Sequence, residues 1–265
     1  MVLHLSFSLI SMTPPNSEIR IFPNMQGLTH AAAEHVIQQA SLAINIRGRF
    51  TIALGGGSTP KSLYALLAGP EYRSRIDWGK IEFFWGDERH VPPDHAESNY
   101  RMAHEAMLMP LAIPEEQIHR IHGELPQAQE AADQYEDRLR DRLGSSDSPI
   151  PCIDLVLLGM GPDGHTASLF PGTDAVHEST RLVVAPWVEK FKTFRITLTP
   201  PIINQARQIT FLITGEGKAE VLRKVIEGPF QPEMLPSQAI RPISGQLTWF
   251  LDQEAAGDLS TRASP

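Results

Sequence analysis

Short apolar runs alternate along the chain with longer segments in which apolar residues recur every three or four positions. The longer pattern is typical of amphipathic helices, whereas short apolar runs rich in β-branched residues are typical of buried strands. The predicted strands lie near 18–22, 50–54, 81–85, 117–121, 153–158, 182–185, 194–198, 209–213 and 247–251. Because strands and helices alternate, the pattern predicts an α/β fold with a mainly parallel sheet covered on both faces.

The segment 129–143 shows the helical pattern most clearly. Its apolar stripe consists of Ala131, Ala132, Tyr135, Leu139 and Leu143. Its opposite, charged face consists of Glu136, Asp137, Arg140 and Asp141. A helix with one apolar stripe packs that stripe on the sheet, so we expect the charged face to be solvated.

The organisation of the chain is predicted to be simple, because no internal repeat or heptad pattern is visible. The one linker-like stretch is the polar segment 144–149, and loops of this length join elements more often than domains. We expect a disordered N-terminal extension over 1–15, a single α/β domain over 16–256 and a C-terminal tail over 257–265. The opening residues lack the basic region and cleavage site of a signal peptide, and no apolar run is long enough for a membrane span.

Composition narrows the classes of function. The chain has 265 residues, of which 42% are hydrophobic, enough to bury a core and to exclude a disordered protein. Its 23 Lys and Arg against 31 Asp and Glu give a net charge of −8. Nucleic acids and anionic membrane surfaces are recognised by clustered cations, so neither is expected as a partner. The single cysteine, Cys152, excludes an internal disulfide and fits a reducing cytoplasm.

The first loop with candidate functional residues is Gly-Gly-Gly-Ser-Thr-Pro at 55–60, between the second predicted strand and a helix. In open parallel sheets, ligands bind beyond the carboxyl ends of the strands. Gly56 and Gly57 let the backbone approach a ligand, and we expect Ser58 or Thr59 to cap the helix, with the proline as its first residue. Such a helix N-terminus predicts a phosphate-binding cradle, although a plain tight turn would use similar residues.

A second loop, Gly-Asp-Glu-Arg-His at 86–90, follows the third predicted strand. Four of its five residues carry ionisable side chains. Arg89 could bind a phosphate or carboxylate, and Asp87 could contact hydroxyl groups or orient a base. A charged surface turn is the alternative interpretation.

The third loop, 159–172, is the most informative. Its glycines satisfy Gly-x-Gly-x-x-Gly, but the next predicted strand ends in proline rather than in a ribose-binding acid, which argues against a dinucleotide site. The loop instead presents Asp163 and His165. A histidine can accept and return a proton near neutral pH, so His165 is a candidate general base. A purely structural histidine is the alternative.

Basic residues recur near two later strands. Arg195 lies in the strand 194–198, and Lys218 lies in a Gly-Glu-Gly-Lys turn before a helix. A lysine in the first turn opposes the helix dipole, and a bound anion would remove this conflict; a solvated lysine is the alternative. No metal site is predicted, because His119 and His122 stand three apart on a predicted strand and would point to opposite faces.

Together these loops resemble the 6-phosphogluconolactonase family over about residues 52–250. The motifs that carry the resemblance occur in that family's order: Gly-Gly-Gly-Ser-Thr-Pro at 55–60, Trp-Gly-Asp-Glu-Arg-His-Val at 85–91 with Asp-His-Ala-Glu-Ser-Asn at 94–99, Gly-Met-Gly-Pro-Asp-Gly-His-Thr-Ala-Ser-Leu-Phe-Pro at 159–171, and Gly-Glu-Gly-Lys-Ala at 215–219. The resemblance implies a three-layer α/β/α Rossmann-like open sheet, mainly parallel, of the sugar-phosphate isomerase/lactonase type. It also implies hydrolysis of 6-phospho-D-glucono-1,5-lactone to 6-phosphogluconate in the oxidative pentose phosphate pathway.

Carried over by position, the resemblance makes His165 the general base and Asp163 its neighbour in the site. The residues implied for substrate and phosphate binding are Gly56, Gly57, Ser58, Thr59, Asp87, Arg89, Arg195 and Lys218. It implies no cofactor and no metal, and a phosphosugar lactone as the small-molecule partner. We expect a cytoplasmic protein that is a monomer or a weak dimer.

Two alternatives stay open at this point. An amino-sugar-phosphate deaminase or isomerase shares the fold, but its pattern resembles His-x-x-x-x-Glu, and here Phe170 stands at the position of the glutamate. That pattern also has Asp-Glu-Tyr where this chain has Asp-Glu-Arg at 87–89. A sugar-phosphate-sensing domain of a transcription regulator would need a basic helix-turn-helix segment, and residues 1–16 are too short and too apolar to provide one.

Overall fold

Six parallel strands form the central sheet of the computed structural model, which describes residues 16–144 and 148–260. The strands are β1 (Ser17–Phe22), β2 (Phe50–Leu54), β3 (Ile81–Trp85), β5 (Leu155–Leu158), β9 (Gln208–Ile213) and β10 (Gln246–Asp252). Their order is β1-β10-β9-β5-β2-β3, and helices lie on both sides. The predicted α/β class is therefore confirmed; the predicted extension over 1–15 lies outside the described residues.

Helices connect most of these strands. They are α1 (Met25–Arg47), α2 (Ser58–Ala68), α3 (Asn99–Ala103), which continues as a π-helical turn (His104–Leu108), α4 (Ala128–Leu143), α5 (Pro200–Asn204) and α6 (Ala219–Glu227). Short 3-10 turns occur at Trp78–Lys80, Glu115–Gln117, Asp174–His177, Glu189–Phe191, Glu216–Lys218 and Pro236–Ala239.

The strand order of the central sheet reverses its direction at one point. Every residue of β2, β5 and β9 is buried, as expected for parallel strands covered on both faces. From β2 the chain moves to β3 on one side, whereas β5, β9 and β10 follow on the other side. The direction reverses between β2 and β5, and ligands of open α/β sheets bind at the carboxyl ends of such strands.

A smaller antiparallel sheet lies next to this point. It contains β4 (Asp87–Arg89), β8 (Thr193–Leu198) and β6 (Val183–Val184), and β7 (Trp187–Val188) also pairs with β8. The sequence predicts a loop at 86–90, and this is wrong for its central residues. β4 is charged and has no strand pattern of its own, because it is held by a partner strand more than a hundred residues away.

The predicted strand at 117–121 is also wrong. The chain there forms the 3-10 turn ending at Gln117, and a single parallel bridge joins Ile118 to Phe83. The His119 N–H donates to the Phe83 carbonyl at 2.8 Å. Ile121 is buried and Ile118 is partly buried, because the segment lies against the edge strand β3, although it continues no ladder.

The helix predicted over 129–143 is observed as α4, and its whole predicted stripe is buried. The prediction of a solvated face is wrong for one of its four residues, Glu136. Glu136 has a side chain only 12% exposed, and its Oε2 accepts from the N–H groups of Leu182 and Val183 at 3.0 and 3.3 Å. The carboxylate therefore fastens the helix to the beginning of β6, a contact that helical periodicity cannot show.

Residues 257–260, beyond the predicted end of the domain, also pack against it. Leu259 is only 6% exposed and belongs to the hydrophobic core. Ser260 donates from its N–H and its Oγ to the Glu227 carboxylate at 2.7 and 2.8 Å. Residues 257–260, which the sequence pattern assigns to a tail, are therefore attached to the domain.

Candidate active site

A cavity of about 220 Å³ opens at the carboxyl ends of β2, β3, β5 and β9, where the strand order reverses. Eight of the ten predicted site residues line it: Gly56, Gly57, Ser58, Thr59, Asp87, Arg89, His165 and Lys218. Asp163 and Arg195 lie behind this wall and contact other residues, as described below.

The N-terminus of α2 forms one wall of the cavity. The helix begins at Ser58, and its N-cap is Gly57, whose φ of 104° lies in the left-handed region that favours glycine. The predicted cap by Ser58 or Thr59 is wrong, because both residues lie inside the first turn and Pro60 is the third helical residue. No side chain of the described residues caps the helix, so its first N–H groups are available to an anion.

Lys218 lies on the β9 side of the same cavity. Its ammonium makes no hydrogen bond or ion pair with any residue of 16–144 or 148–260. Burial lowers the pKa of Lys218 from its ordinary value, and the Asp252 carboxylate offsets part of this effect. A hydrogen bond of 2.8 Å between the hydroxyls of Thr59 and Thr214 joins the start of α2 to the end of β9. A largely buried, unpaired ammonium beside a helix N-terminus favours anion binding.

His165 lies on the loop that follows β5. Its Nδ1 is hydrogen bonded to Oδ1 of Asp163, and its ring stacks on Phe170 with centroids 4.1 Å apart and planes at 27°. Because a carboxylate only accepts, the proton of the neutral imidazole is on Nδ1, which leaves the lone pair on Nε2. Nε2 has no hydrogen-bond partner among the described residues. The ring is thus held in the tautomer that a general base requires.

Gly161 allows this position of the histidine ring. A Cβ on residue 161 would lie 2.0 Å from Cε1 and 2.1 Å from Nδ1 of His165. The Gly161 N–H also donates to the His165 carbonyl at 2.9 Å. The glycine that resembles part of a dinucleotide fingerprint therefore provides space for the imidazole.

Asp163 is half-buried and lies behind the histidine. Its Oδ1 accepts from His165, and its Oδ2 accepts from Lys190 Nζ at 3.0 Å. The hydrogen bond from His165 holds the pKa of Asp163 well below its usual range, and the contact with Lys190 lowers it further. The carboxylate is therefore ionised near neutral pH and orients the imidazole. His165 lines the cavity, and Asp163 lies behind it.

Asp87 is buried at the beginning of β4 and is held by neutral donors. Its Oδ2 accepts from Ser168 Oγ at 2.7 Å, and its Oδ1 accepts from Asn99 Nδ2 at 3.2 Å. Asn99 Nδ2 also donates to the Asp87 carbonyl at 3.0 Å. No described cation forms an ion pair with Asp87, so its carboxylate oxygens can also accept hydrogen bonds from the hydroxyl groups of a ligand.

The two predicted arginines are neighbours across the smaller sheet. Arg89 on β4 pairs in register with Arg195 on β8, and only Arg89 lines the cavity. Arg195 is 7% exposed, and its guanidinium lies over the Phe191 ring at 5.0 Å with no hydrogen-bonding side-chain partner in the described chain. Burial and the charge of Arg89 lower the pKa of Arg195. The pair concentrates positive charge on the cavity's β4 side.

The buried Glu88 attaches the segment 94–99 to this strand. Its carboxylate accepts from the N–H groups of Asn99 and Tyr100 at 2.7 and 2.8 Å and from Ser98 Oγ at 3.0 Å. Burial raises the pKa of Glu88, although these hydrogen bonds oppose the effect. The result is a fixed position for Asn99, which lines the cavity.

Sequence reasoning gave no role to four residues of the site: Asn99, Ser168, Phe170 and Lys190. The first three stand within motifs of the family resemblance, so their presence in a motif was the available signal. Lys190 lies in an exposed turn rich in charge, and nothing in its surroundings distinguishes it from a solvated lysine.

Two further observations concern metals and membranes. Within residues 16–144 and 148–260, no group of three or more His, Cys, Asp or Glu side chains is arranged to hold a metal ion. His119 pairs with Glu82 at 3.1 Å rather than with another histidine.

No helix within residues 16–144 and 148–260 has the length and apolarity needed to cross a membrane.

Fold and site together define a class: α/β proteins with a cavity at the sheet's switch point, lined by cations and by a carboxylate-oriented histidine. Residues 23–249 match the family described as glucosamine-6-phosphate isomerases/6-phosphogluconolactonase, and the chain belongs to this family.

Relatives agree with this assignment. The human 6-phosphogluconolactonase is 41% identical over 252 residues, which cover 92% of this chain and 94% of the relative. The 6-phosphogluconolactonase of Nostoc sp. is 39% identical over 242 residues, 91% of this chain and 98% of the relative. The solved 6-phosphogluconolactonase from Trypanosoma cruzi superposes with a TM-score of 0.83 at 34% identity, covering 95% of this chain and 99% of that one.

Proposed function

We propose that this protein is a carboxylic ester hydrolase that converts 6-phospho-D-glucono-1,5-lactone to 6-phosphogluconate, a step of the oxidative pentose phosphate pathway. The observation that carries the proposal is the Asp163–His165 pair. It places Nε2, which has no hydrogen-bond partner among the described residues, on the wall of a cavity that Arg89 and Lys218 also line. The names of the relatives support the same reaction.

His165 is proposed as the general base. A δ-lactone is an activated ester, so water deprotonated by Nε2 attacks C1 directly and no serine or cysteine nucleophile is needed. The imidazolium formed in this step is stabilised by the ionised Asp163, and it returns its proton to the departing ring oxygen. Negative charge that develops on the carbonyl oxygen needs a donor on the cavity wall, for which Arg89 is the candidate.

The phosphate is proposed to bind at the N-terminus of α2. The N–H groups after Gly57 and the ammonium of Lys218, which has no partner among the described residues, supply partial and full positive charge at one place. Arg195 adds positive charge from behind Arg89, on the β4 side of the cavity. Because the phosphate is remote from C1, its binding fixes the lactone relative to His165 and lowers the entropic part of the barrier.

The deaminase alternative is not favoured by the same site. The acid that would assist ring opening is replaced by Phe170, whose ring stacks on the catalytic imidazole at 4.1 Å. An apolar ring in this position shields the histidine from water on one side and cannot transfer a proton.

The first test follows acid release from freshly generated 6-phosphogluconolactone, with the spontaneous rate subtracted. The proposal expects enzyme-dependent release that saturates with substrate at neutral pH. Release no faster than the spontaneous rate would reject the assignment. Binding of 6-phosphogluconate without turnover would instead indicate a sensing domain.

Two substitutions separate chemistry from binding. His165→Ala is expected to lower kcat by at least about a hundred-fold while it keeps the affinity for 6-phosphogluconate, because the base acts only in the reaction. Lys218→Ala is expected to weaken product binding about ten-fold or more, because it removes a charged contact with the phosphate. Steady-state kinetics and isothermal titration calorimetry measure the two quantities.

His177→Ala serves as the matched control, because His177 is an exposed histidine outside the cavity. It should behave as the wild type. If His165→Ala retained most of its turnover, the general-base role would be wrong.

A monomer or weak dimer and a cytoplasmic location stay proposals drawn from the sequence. Size-exclusion chromatography with light scattering measures the first. A stable tetramer would contradict it.

A further inference from the structure

The turn between β7 and β8 reaches the histidine loop from the smaller sheet. This turn, here called the hairpin tip, consists of residues 189–192 and contains the 3-10 turn Glu189–Phe191 followed by Lys192 with a φ of 51°. Two neighbouring residues of the hairpin tip contact the residues that hold His165. Neither residue takes part in the reaction steps proposed for His165.

Lys190 makes the polar contact. Its Nζ lies 3.0 Å from Oδ2 of Asp163, while Oδ1 of the same carboxylate accepts from Nδ1 of His165. The carboxylate therefore bridges the lysine and the imidazole. With one oxygen held by a cation, the carboxylate plane is defined and the other oxygen is directed at the ring.

Phe191 makes the apolar contact. Its ring packs edge-on against Phe170 with centroids 5.6 Å apart, and Phe170 stacks on His165. The guanidinium of Arg195 covers the Phe191 ring at 5.0 Å. These ring contacts hold the hairpin tip against the histidine loop without the Lys190–Asp163 ion pair. Because Lys190 is the neighbour of Phe191 in the chain, the same contacts place Lys190 near Asp163.

The contact made by Lys190 is specific within the hairpin tip. Lys192, two residues further on, pairs with Glu189 of the same turn and does not reach the histidine loop. Among the described residues, Asp163 and Lys190 lie on one side of His165, and the other charged residues that line its cavity are Asp87, Arg89 and Lys218. Lys190 is thus the cation that acts on the histidine through its carboxylate partner.

We propose that Lys190 is a positioning residue for the reaction. By holding Oδ2 of Asp163, it keeps Oδ1 in line with Nδ1 of His165, so that Nε2 stays directed at the attacking water. Its positive charge also weakens the negative field of Asp163 at the imidazole. The proposal rests on the proposed function, in which His165 is the base.

Removing the charge has two expected consequences. The carboxylate gains rotational freedom, which lowers the fraction of enzyme with a correctly oriented base. The imidazolium is stabilised more strongly by the unopposed carboxylate, which moves the acid limb of the pH profile to higher pH. Stability should hardly change, because the Lys190 side chain is 55% exposed and exposed ion pairs contribute little.

The test compares Lys190→Met, which keeps chain length without charge, with Lys190→Arg, which keeps the charge. We expect Lys190→Met to lower kcat about five-fold with KM changed less than about two-fold, and to raise the midpoint of the acid limb of kcat/KM by about half a pH unit. Lys190→Arg should recover most of both effects. Lys192→Met is the matched control and should match the wild type.

Salt gives a second readout. In about 1 M salt the Debye length falls to about 3 Å, so the difference in midpoint between wild type and Lys190→Met should shrink. A role confined to folding would leave the pH profile unchanged and lower the melting temperature instead.

The outcomes distinguish this proposal from the proposed function. Wild-type turnover together with its loss in His165→Ala supports the function whatever Lys190 does. If those hold and Lys190→Met leaves kcat and the pH profile unaltered, Lys190 has no positioning role. A raised KM with unchanged kcat and midpoint would overturn it too, because Lys190 would then bind substrate.

Discussion

At the scale of single residues, the site depends on how closely backbone and side chain approach each other. Gly161 is the sharpest case, since any side chain there would overlap the imidazole of His165. The sequence shows a glycine, and the structure shows which atom it leaves room for. We therefore expect any functional effect of substituting this glycine to be steric and to act through His165.

Gly161→Ala tests this interpretation. The added Cβ would lie 2.0 Å from His165 Cε1, so the ring must move, and a displacement of about 1 Å in a catalytic group costs on the order of a hundred-fold in rate. We expect kcat/KM to fall by about that factor in the acid-release assay, with far-UV circular dichroism unchanged.

Gly79→Ala is the control, because a Cβ there meets only Asp77 Oδ1 at 3.5 Å, an ordinary contact. It should retain wild-type kinetics. Full activity in Gly161→Ala would show that the imidazole does not need its observed position.

At the scale of elements, α1 carries a histidine into the core beside the sheet. His35 is 6% exposed, its Nε2 lies 3.2 Å from Thr210 Oγ1 on β9, and its ring packs against Phe250 on β10. Burial, with a smaller effect from the charge of Arg20, lowers the pKa of His35 from 6.5 to about 4. The helix therefore packs on the sheet only with a neutral imidazole.

This packing predicts a pH dependence of stability. Below about pH 6.5 the unfolded chain protonates His35 before the folded chain does, so the free energy of unfolding falls as pH decreases from about 6.5 to about 4. Above pH 6.5 the titration of His35 does not reduce the free energy of unfolding. Below about pH 4 it causes no further reduction. A pKa lowered to about 4 corresponds to a loss of about 3 kcal/mol across the window.

Urea denaturation of wild type and His35→Gln between pH 4 and 8 measures this effect. The difference in unfolding free energy between the two should shift by about 3 kcal/mol over that range, while the exposed His177→Gln follows the wild type. Parallel curves for wild type and His35→Gln would contradict the assignment. His119 is present in all three proteins, so its contribution to the pH dependence of stability cancels in the comparison.

At the scale of the whole molecule, the C-terminal residues complete the core beyond the predicted domain end. Leu259 is buried among the core residues, and Ser260 is bonded to Glu227 at the end of α6. Leu259→Ala should therefore lower the free energy of unfolding by about 2 to 3 kcal/mol, as for other large-to-small core substitutions. Urea denaturation at neutral pH measures it.

Ile243→Ala is the matched control, because Ile243 is 69% exposed. Its effect should stay within about 0.5 kcal/mol. An equally small effect of Leu259→Ala would mean that the domain does not depend on residues beyond 256.

The net charge of −8 also belongs to the whole molecule. It describes the surface, whereas Arg89, Lys218 and the start of α2 place positive charge around one cavity. An acidic chain can therefore bind an anionic substrate, because the local arrangement and not the sum decides the potential in a cleft.

The sequence by itself determined the α/β class, the central strands and eight residues of the cavity wall, because apolar periodicity and glycine-rich loops after strands are local signals. Only the tertiary structure decided that β4 is a strand, that Gly57 rather than Ser58 caps α2, and that Glu136 faces a neighbouring segment. It also decided which atoms of Asp163 meet His165 and Lys190. These features depend on partners distant along the chain, and no local pattern of residue types encodes which distant group will be opposite.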